Sequence, residues 1–530
     1  MFVVSYSRKA KGQTYSTTYL AESYRNAAGK PTHKHLLNIS HLPADKIDGI
    51  KAVLQGKTVV DWDALPGLEA LDFGLPFLTL GTLATLGFPQ VLPPPLQAHW
   101  STLAAMIVNR VDRPCAKYSV KHWLPRTAVA RLLDQASPAF VHHDVCYETL
   151  DRLQESQTGV EDALFARRPS PPTLYLYDLT STYFEGEKAE LGAYGYSRDH
   201  RQDRKQITIG FLGDMQGLPL AVEVFEGNTR DSATVAAQVE KMKARFGCQK
   251  ACFVGDRGMM TVDNVTLLRD KGMDFILALT HREVLKLVEA HGPRQMGLED
   301  EQGLADITLD GRRLIVCRNP VAGADTKRRR KELMALTEAR FKMLADRVQA
   351  GRLKQAVKIQ QAVDRFVSKW GMEKFYRTEV AEGQFTWQVD QKTLEAAARL
   401  DGVYVLEATP PASEVEGVKV QMIYKNLQEI ERAFECLKSE VRVRPVFHWR
   451  ERRIRAHVYL CTLAYLVEQT WRNAWEAWPP ADRPEWTELM GALRAWRRVY
   501  VPGKPSLKPK DVGLTPEVAA FFAKVGVPLP

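Results

Sequence analysis

The chain has 530 residues, 45% of them hydrophobic and 26% charged, with 34 Gly and 29 Pro. That is an ordinary globular mixture, which excludes collagenous and disordered classes and predicts about three or four folding units rather than one compact domain. Lys+Arg outnumber Asp+Glu by 73 to 63 and the isoelectric point is near 9.1, which favours a polyanionic partner over an acidic small metabolite.

The N-terminus, MFVVSYSRKAKG, lacks the order of a secretory signal. Residues 1–60 hold nine Lys+Arg against three Asp+Glu, with alternating runs such as TYSTTYL and a turn at NAAGKP. A small, basic, strand-containing DNA-binding module is expected there. From 61 to 165 the pattern turns helical, with VARLLDQA as an amphipathic stretch. Next come four strand-like runs, TLYLYD (173–178), QITIGFLGD (206–214), LPLAVEVFEG (218–227) and ACFVGD (251–256). The tight connection Met215-Gln216-Gly217 predicts an antiparallel hairpin, and helices are expected from Asp231 to Gly247 and from Val262 to Lys271. Three strands, a helix and a fourth strand is the order of the ribonuclease H type of fold, so the fold class is mixed α/β with a ribonuclease H-like core.

Residues 286–400 interrupt this layout. They carry a hairpin signal, ITLDGRRLIV, a charged helical stretch over 326–366, and an alternating FTWQV that puts Phe385, Trp387 and Val389 on one face. An inserted subdomain is expected. The core then spans 166–285 and 401–475, with VYVLEA (403–408) as a further strand and a strong helix through Leu437, and 476–530 forms a C-terminal region. The apolar run Val458 to Val467 is about half the ~20 residues a membrane helix needs, so a cytosolic protein is expected. Seven cysteines form no close-set framework and are read as reduced packing residues; His33, His35, His142 and His143 lack partners at zinc spacing.

Asp178 shares parity with Leu174 and Leu176, and Asp256 with Cys252 and Val254, so each is expected to project from the apolar face of a strand end. Such a carboxylate needs a cation, a hydrogen-bond network or a metal. In IYKNLQEIERAFECLKSE, the residues Ile423, Leu427, Ile430, Phe434 and Leu437 form a core stripe, and Tyr424, Glu431 and Lys438 recur every seven residues along its border. Three carboxylates from two strand ends and a helix suit two hard divalent cations, Mg2+ with Mn2+ as a substitute, for in-line phosphoryl transfer. No P-loop and no GxSxG elbow is present.

These residues resemble the insertion-sequence DDE transposases that carry a Tyr-x2-Arg-x3-Glu-x6-Lys signature. Tyr424, Glu431 and Lys438 match it, and Leu427 stands where the family has Arg. YDLTSTYFEG around Asp178, VGDRGMMTVDN around Asp256, GYSRDHRQDRKQ (195–206), GLPLAVEVFEGNTRDSATV (217–235) and NRVDRPCAKYSVKHWL (109–124) are similar to family segments. The resemblance implies Asp178, Asp256 and Glu431 as catalytic metal ligands, with Tyr424 and Lys438 at DNA end phosphates. Arg257, Arg444 or Arg453 would replace the missing Arg. It also implies double-stranded DNA (element ends and target) as partner, a homodimer or larger synaptic complex, and a bacterial cytosolic, nucleoid-associated location. The alternatives are a catalytically silent DNA-binding regulator and a nuclease without strand transfer. Three basic blocks, 1–60 at +6, 321–360 at +7 and 438–460 at +5, are the expected contact surfaces, and the loop Arg198 to Lys205, after Tyr194 and Tyr196, is a further candidate.

Overall fold

A computed structural model of the chain describes its residues except 11–12, 58, 60–66, 171, 247–251, 256–260, 299–302 and 503–507, and excludes the side chains of 10, 13–15 and 369. Two units are distinguished, Met1–Leu71 with Arg497–Val512, and Asp72–Trp496 with Gly513–Pro530. In the first, the strands Phe2–Ala10, Gln13–Arg25 and Pro31–Asn38 form an antiparallel sheet in sequence order, followed by the helix Ala44–Leu54. The turn at 26–31 is built on Asn26, whose Oδ1 accepts from the N–H groups of Ala28 and Lys30 at 3.0 Å, while Gly29 takes the left-handed conformation at φ +75°. His35 stacks flat on Tyr19 with ring centroids 4.3 Å apart, and His33 meets Phe2 edge-on. Both histidines therefore pack against this sheet.

The second unit begins with helices, among them Gly74–Thr85, Trp100–Asp112 and α1 (His143–Ala166). VARLLDQA yields only the single turn Val129–Leu132, because Asp134 takes φ +53° and leaves the right-handed helical region. The central sheet then builds as β1 (Leu174–Tyr183), β2 (Gln206–Gly213), β3 (Pro219–Glu226), the helix α2 (Asp231–Phe246), β4 (Cys252–Gly255), the helix Val262–Asp270 and β5 (Asp274–Ala278). In space the order is β3-β2-β1-β4-β5. β2 is antiparallel to β1 and β3, whereas β4 is parallel to β1 and to β5. This is the ribonuclease H arrangement. The parallel β1–β4 pair requires a crossover, which runs through α2. Tyr175, Tyr177 and Leu179 of β1 pack with Val235, Val239 and Met242 of α2 in the core on one face of the sheet.

The sheet continues as β6 (Leu304–Leu309), β7 (Arg312–Arg318) and β8 (Val403–Ala408), in the order β5-β8-β7-β6, all antiparallel. Asp310 at φ +51° and Gly311 at φ +73° make the expected two-residue hairpin turn. That hairpin does not stand apart in an insertion; it extends the central sheet through β7–β8 pairing. A lobe with its own core lies between β7 and β8. Its helical stretch is split into Pro320–Gln349 and Ala356–Trp370, with Gly351 at φ +72° in the break. Phe341, Val363, Phe385 and Trp387 pack together there with the hairpin Tyr376–Ala381/Gln384–Val389. Chain entry and exit touch: Asn319 N–H donates to Gly402 O at 2.8 Å, and a Cβ on Gly402 would come within 2.3 Å of Asn319 O.

After β8 come the helices α3 (Gly417–Lys425), α4 (Leu427–Ser439) and α5 (Glu451–Glu476), and the C-terminal helices Trp486–Ala495 and Pro516–Val525 belong to the same unit. The apolar run 458–467 lies in α5, which is buried nearly all round against α1, Trp100–Asp112 and β3. Among the described residues no helix is long and apolar enough to cross a membrane.

Candidate active site

Asp178 is found inside β1 rather than at its end. The strand runs on to Tyr183 because Thr180, Ser181 and Thr182 are buried and pair with Ile209, Thr208 and Ile207 of β2; the β-branched Thr residues suit a pleated, buried surface. The expected parity holds. Asp178 lies directly opposite Phe211 of β2, and residues opposite one another share a face. Phe211 meets Phe434 of α4 edge-on, centroids 6.0 Å apart, and Tyr465 of α5 at 5.7 Å. Asp178 therefore occupies the face that α4 roofs, opposite the core filled by Tyr177 and Leu179. It is half-buried, and its Oδ1 accepts from the Leu179 N–H at 2.7 Å.

Asp256 and Arg257 lie outside the described residues, which stop at Gly255, the last residue of β4. β1 and β4 are in register at an offset of 78 residues, Leu174 beside Cys252 and Leu176 beside Val254. The interval between Asp178 and Asp256 is the same.

α4 buries Ile430, Ala433, Phe434 and Leu437, as the stripe predicts, and leaves Glu431 exposed. Among the described residues the Glu431 side chain has no hydrogen bond or ion pair. The single helix expected through Leu437 is two: Asn426 interrupts it, keeping a right-handed φ of −69° but tightening the turn so that Glu429 N–H donates to Asn426 O at 2.9 Å. Tyr424 therefore sits on α3, its ring 6.3 Å from that of Tyr404, while Leu427 opens α4 and is half-buried.

Lys438 Nζ donates to Asp199 Oδ1 at 2.8 Å, and Arg444 Nη1 approaches the same oxygen at 2.5 Å. The Asp199 side chain is only 3% exposed. Burial pushes the Lys438 ammonium below its ordinary range, and Asp199 opposes that shift. Asp199 is the residue that sequence reading missed, because it lies in the loop taken as basic. Close packing seats this loop: a Cβ on Gly195 would come within 2.1 Å of Gly227 O. Arg198 donates its N–H to Ser181 Oγ and its guanidinium to Asp231. Arg201 pairs with Asp203, and Arg204 with Glu185. Much of the loop's positive charge is thus answered within the fold, while Tyr194 and Tyr196 are exposed. Arg453 is engaged by Asp151 of α1 at 3.2 Å and lies over the Tyr147 ring.

Two other acid-bearing clusters occur among the described residues. His142 and His143 each approach Asp144 at 3.4 Å; His142 and Asp144 are exposed and His143 is half-buried. Cys436 Sγ donates to Glu468 Oε2 at 3.2 Å beside Glu440. Six described cysteines are free thiols, and Cys248 lies outside the described residues. Burial, followed by the hydrogen bond with Glu440, pushes Glu468 up to about 8. A carboxyl raised in the fold contributes stability below the unfolded pKa and loses it as pH rises through the folded value. Glu468→Gln is therefore expected to flatten the fall in thermal stability between pH 5 and 8, with a gain of about 1–3 kcal/mol at the upper end. Melting curves across that range check it.

The family model described as a transposase DDE domain matches residues 169–467, and that of an IS1634 family transposase N-terminal domain matches 3–61. No curated protein matches the chain. Among solved structures, the cryo-EM structure of a piggyBac transposase synaptic complex with hairpin DNA is similar at 8% identity and a TM-score of 0.35, covering 79% of this chain and 76% of that one.

Proposed function

The chain belongs to the transposase DDE-domain family and is an insertion-sequence DNA transposase; from that premise we propose that Asp178, Asp256 and Glu431 hold its divalent metal ions. Lys438, Arg444 and Tyr424 are proposed to position DNA phosphates. The observation that carries this reading is the placement of Asp178 on the β1 face roofed by α4, where Phe211 beside it packs on Phe434, one turn from Glu431. The family implies dependence on a divalent metal. The donor set, all carboxylate oxygen with no sulfur or imidazole, suits two Mg2+ ions, with Mn2+ as a substitute. Such ions, when bound, would activate the attacking oxygen and offset charge on the leaving oxygen.

The protein's own residues supply position. Asp178 is held on one side by its pairing with Phe211 of β2, and two residues before it Leu176 pairs with Val254 of β4. Glu431 is carried on a helix whose opposite stripe is locked in the core, so its exposed carboxylate faces outward without a competing partner among the described residues. Lys438 and Arg444, gathered by Asp199, present positive charge farther along the same helix and just beyond it. We infer a sequence in which water cleaves the element end to free a 3′ hydroxyl, which then attacks target DNA, within a homodimer or larger synaptic complex. Asp178→Ala is expected to lower both cleavage and joining of element-end DNA by more than about 10³-fold, roughly 4 kcal/mol of barrier, with end binding retained. Undiminished cutting by this variant in Mg2+ would sink the assignment. Failure of the intact protein to cut would favour a silent regulator, and cut ends without joined products a nuclease.

A further inference from the structure

The segment 109–124 carries two cations that the proposed chemistry does not use. Arg110 and Lys117 are 5% and 4% exposed, and among the described residues neither forms an ion pair with a carboxylate. Arg110 donates to the backbone carbonyls of Val441, Arg442 and Cys115. Lys117 Nζ lies 3.0 Å from His457 Nδ1, and His457 Nε2 lies 3.1 Å from Val443 O. A carbonyl only accepts, so Nε2 carries the proton and Nδ1 accepts from Lys117. That leaves two further N–H groups on the ammonium.

These side chains line a cavity of about 240 Å³ together with Arg442, Arg444 and His448, and no carboxylate is among its described lining residues. Burial lowers His448 to about 3, with Lys117, Arg110 and Arg453 adding to the shift, and pushes His457 down as well, so both imidazoles are neutral and add no charge to the cavity. Burial also lowers Lys117 to about 7. A buried cation without a counter-charge is costly; a lysine is relieved by losing its proton or by taking an anion, whereas a guanidinium is relieved only by an anion. The cavity adjoins the proposed site: Arg444 both lines it and shares Asp199 with Lys438. Its rim carries Phe447, which is exposed.

We propose that this cavity binds a phosphate group, supplied by the DNA backbone next to the cleavage site. The choice of DNA as the source rests on the transposase reading; the alternative source is free inorganic phosphate. The full-length protein with an element-end duplex and with inorganic phosphate tests it, comparing wild type with Lys117→Met. The variant is expected to melt no lower than wild type, since a buried cation is replaced by an apolar chain of similar length. Its DNA affinity should fall about ten-fold at 0.1 M salt, and the slope of log affinity against log salt should shrink by about one. A scan of single methylphosphonates along the duplex should find one position that weakens wild type but not the variant.

If DNA binding is unchanged but inorganic phosphate raises the melting temperature of wild type and not of the variant, the cavity is a phosphate site supplied from solution. If neither DNA affinity nor the phosphate-induced shift depends on Lys117, the proposal is overturned. Arg442→Gln, at an exposed lining position, gives the same readouts should Lys117→Met fail to fold. Failure of wild type to bind or cut element ends would count against the transposase reading alone, because the inorganic phosphate arm is independent of it.

Discussion

Glu431→Gln is expected to lower cleavage of element ends by more than about 10³-fold, about 4 kcal/mol of barrier, while leaving the melting temperature within about 1 °C of wild type. The two halves of this expectation come from one placement. Glu431 is exposed and its side chain has no hydrogen bond or ion pair among the described residues, so the fold loses no contact when its charge is removed; exposed substitutions away from structural features stay within about 0.5 kcal/mol. A carboxylate that holds a metal ion through its charge, by contrast, is not replaced by an amide. Glu435, exposed on the same helix one turn on, is the internal control: Glu435→Gln should alter neither quantity. Equal losses from both variants, or a Glu431→Gln protein that cuts normally, would remove Glu431 from the proposed triad. Initial cleavage rates in Mg2+ and melting curves are sufficient.

Asp199→Ala is expected to destabilise the protein by about 3 kcal/mol, because removing one partner of a buried ion pair strands the other. Here two cations are stranded, Lys438 and Arg444, which share a single carboxylate that is 3% exposed. Lys438 is already pushed down by burial, and Asp199 is the group that opposes this. Its loss lowers Lys438 further, so the ammonium releases its proton at lower pH. A neutral lysine attracts phosphate less, and DNA affinity in Asp199→Ala should therefore decline more steeply than wild type as pH rises. Asp199→Asn keeps an acceptor but not the charge, and should lie between the two. Denaturant unfolding and end binding from pH 6 to 9 read both effects; a wild-type pH profile in Asp199→Ala would show that the carboxylate does not govern Lys438.

Legibility in the sequence followed the range of the interactions involved. The four strand runs and the Met215-Gln216-Gly217 connection were readable because alternation and turn chemistry are local, and the parity that puts Asp178 on one face of β1 is preserved in the fold. Its position along the strand was not readable, since the polar run Thr180-Ser181-Thr182 gives no apolar alternation even though it is buried by its neighbours. Nor was the interruption at Asn426, because the 4-3-4-3 stripe passes through it unbroken. The hairpin β6–β7 was readable, but its membership of the central sheet depends on pairing with β8, beyond the whole lobe. Asp199 was hidden by the surrounding charges; what distinguishes it is burial, and burial of a loop residue has no periodic signature. Arg110 was hidden because its helix, Trp100–Asp112, is buried on every face from Thr102 on, so no polar stripe marks it, and Lys117 because it lies in a short turn without periodicity.

The contact between Asn319 and Gly402 has an architectural meaning. Because the chain leaves and re-enters the sheet at adjacent points, the lobe between them hangs on a narrow neck and carries its own apolar centre around Phe341. The separable module thus runs from 320 to 401, narrower than the 286–400 expected from the sequence. Cutting at the wider boundary would strip β6 and β7 from the sheet and bare the edge of β8, an open ladder inviting aberrant association. Cutting at the neck leaves all eight strands paired, so this appendage can be removed without disturbing the strand that carries Asp178.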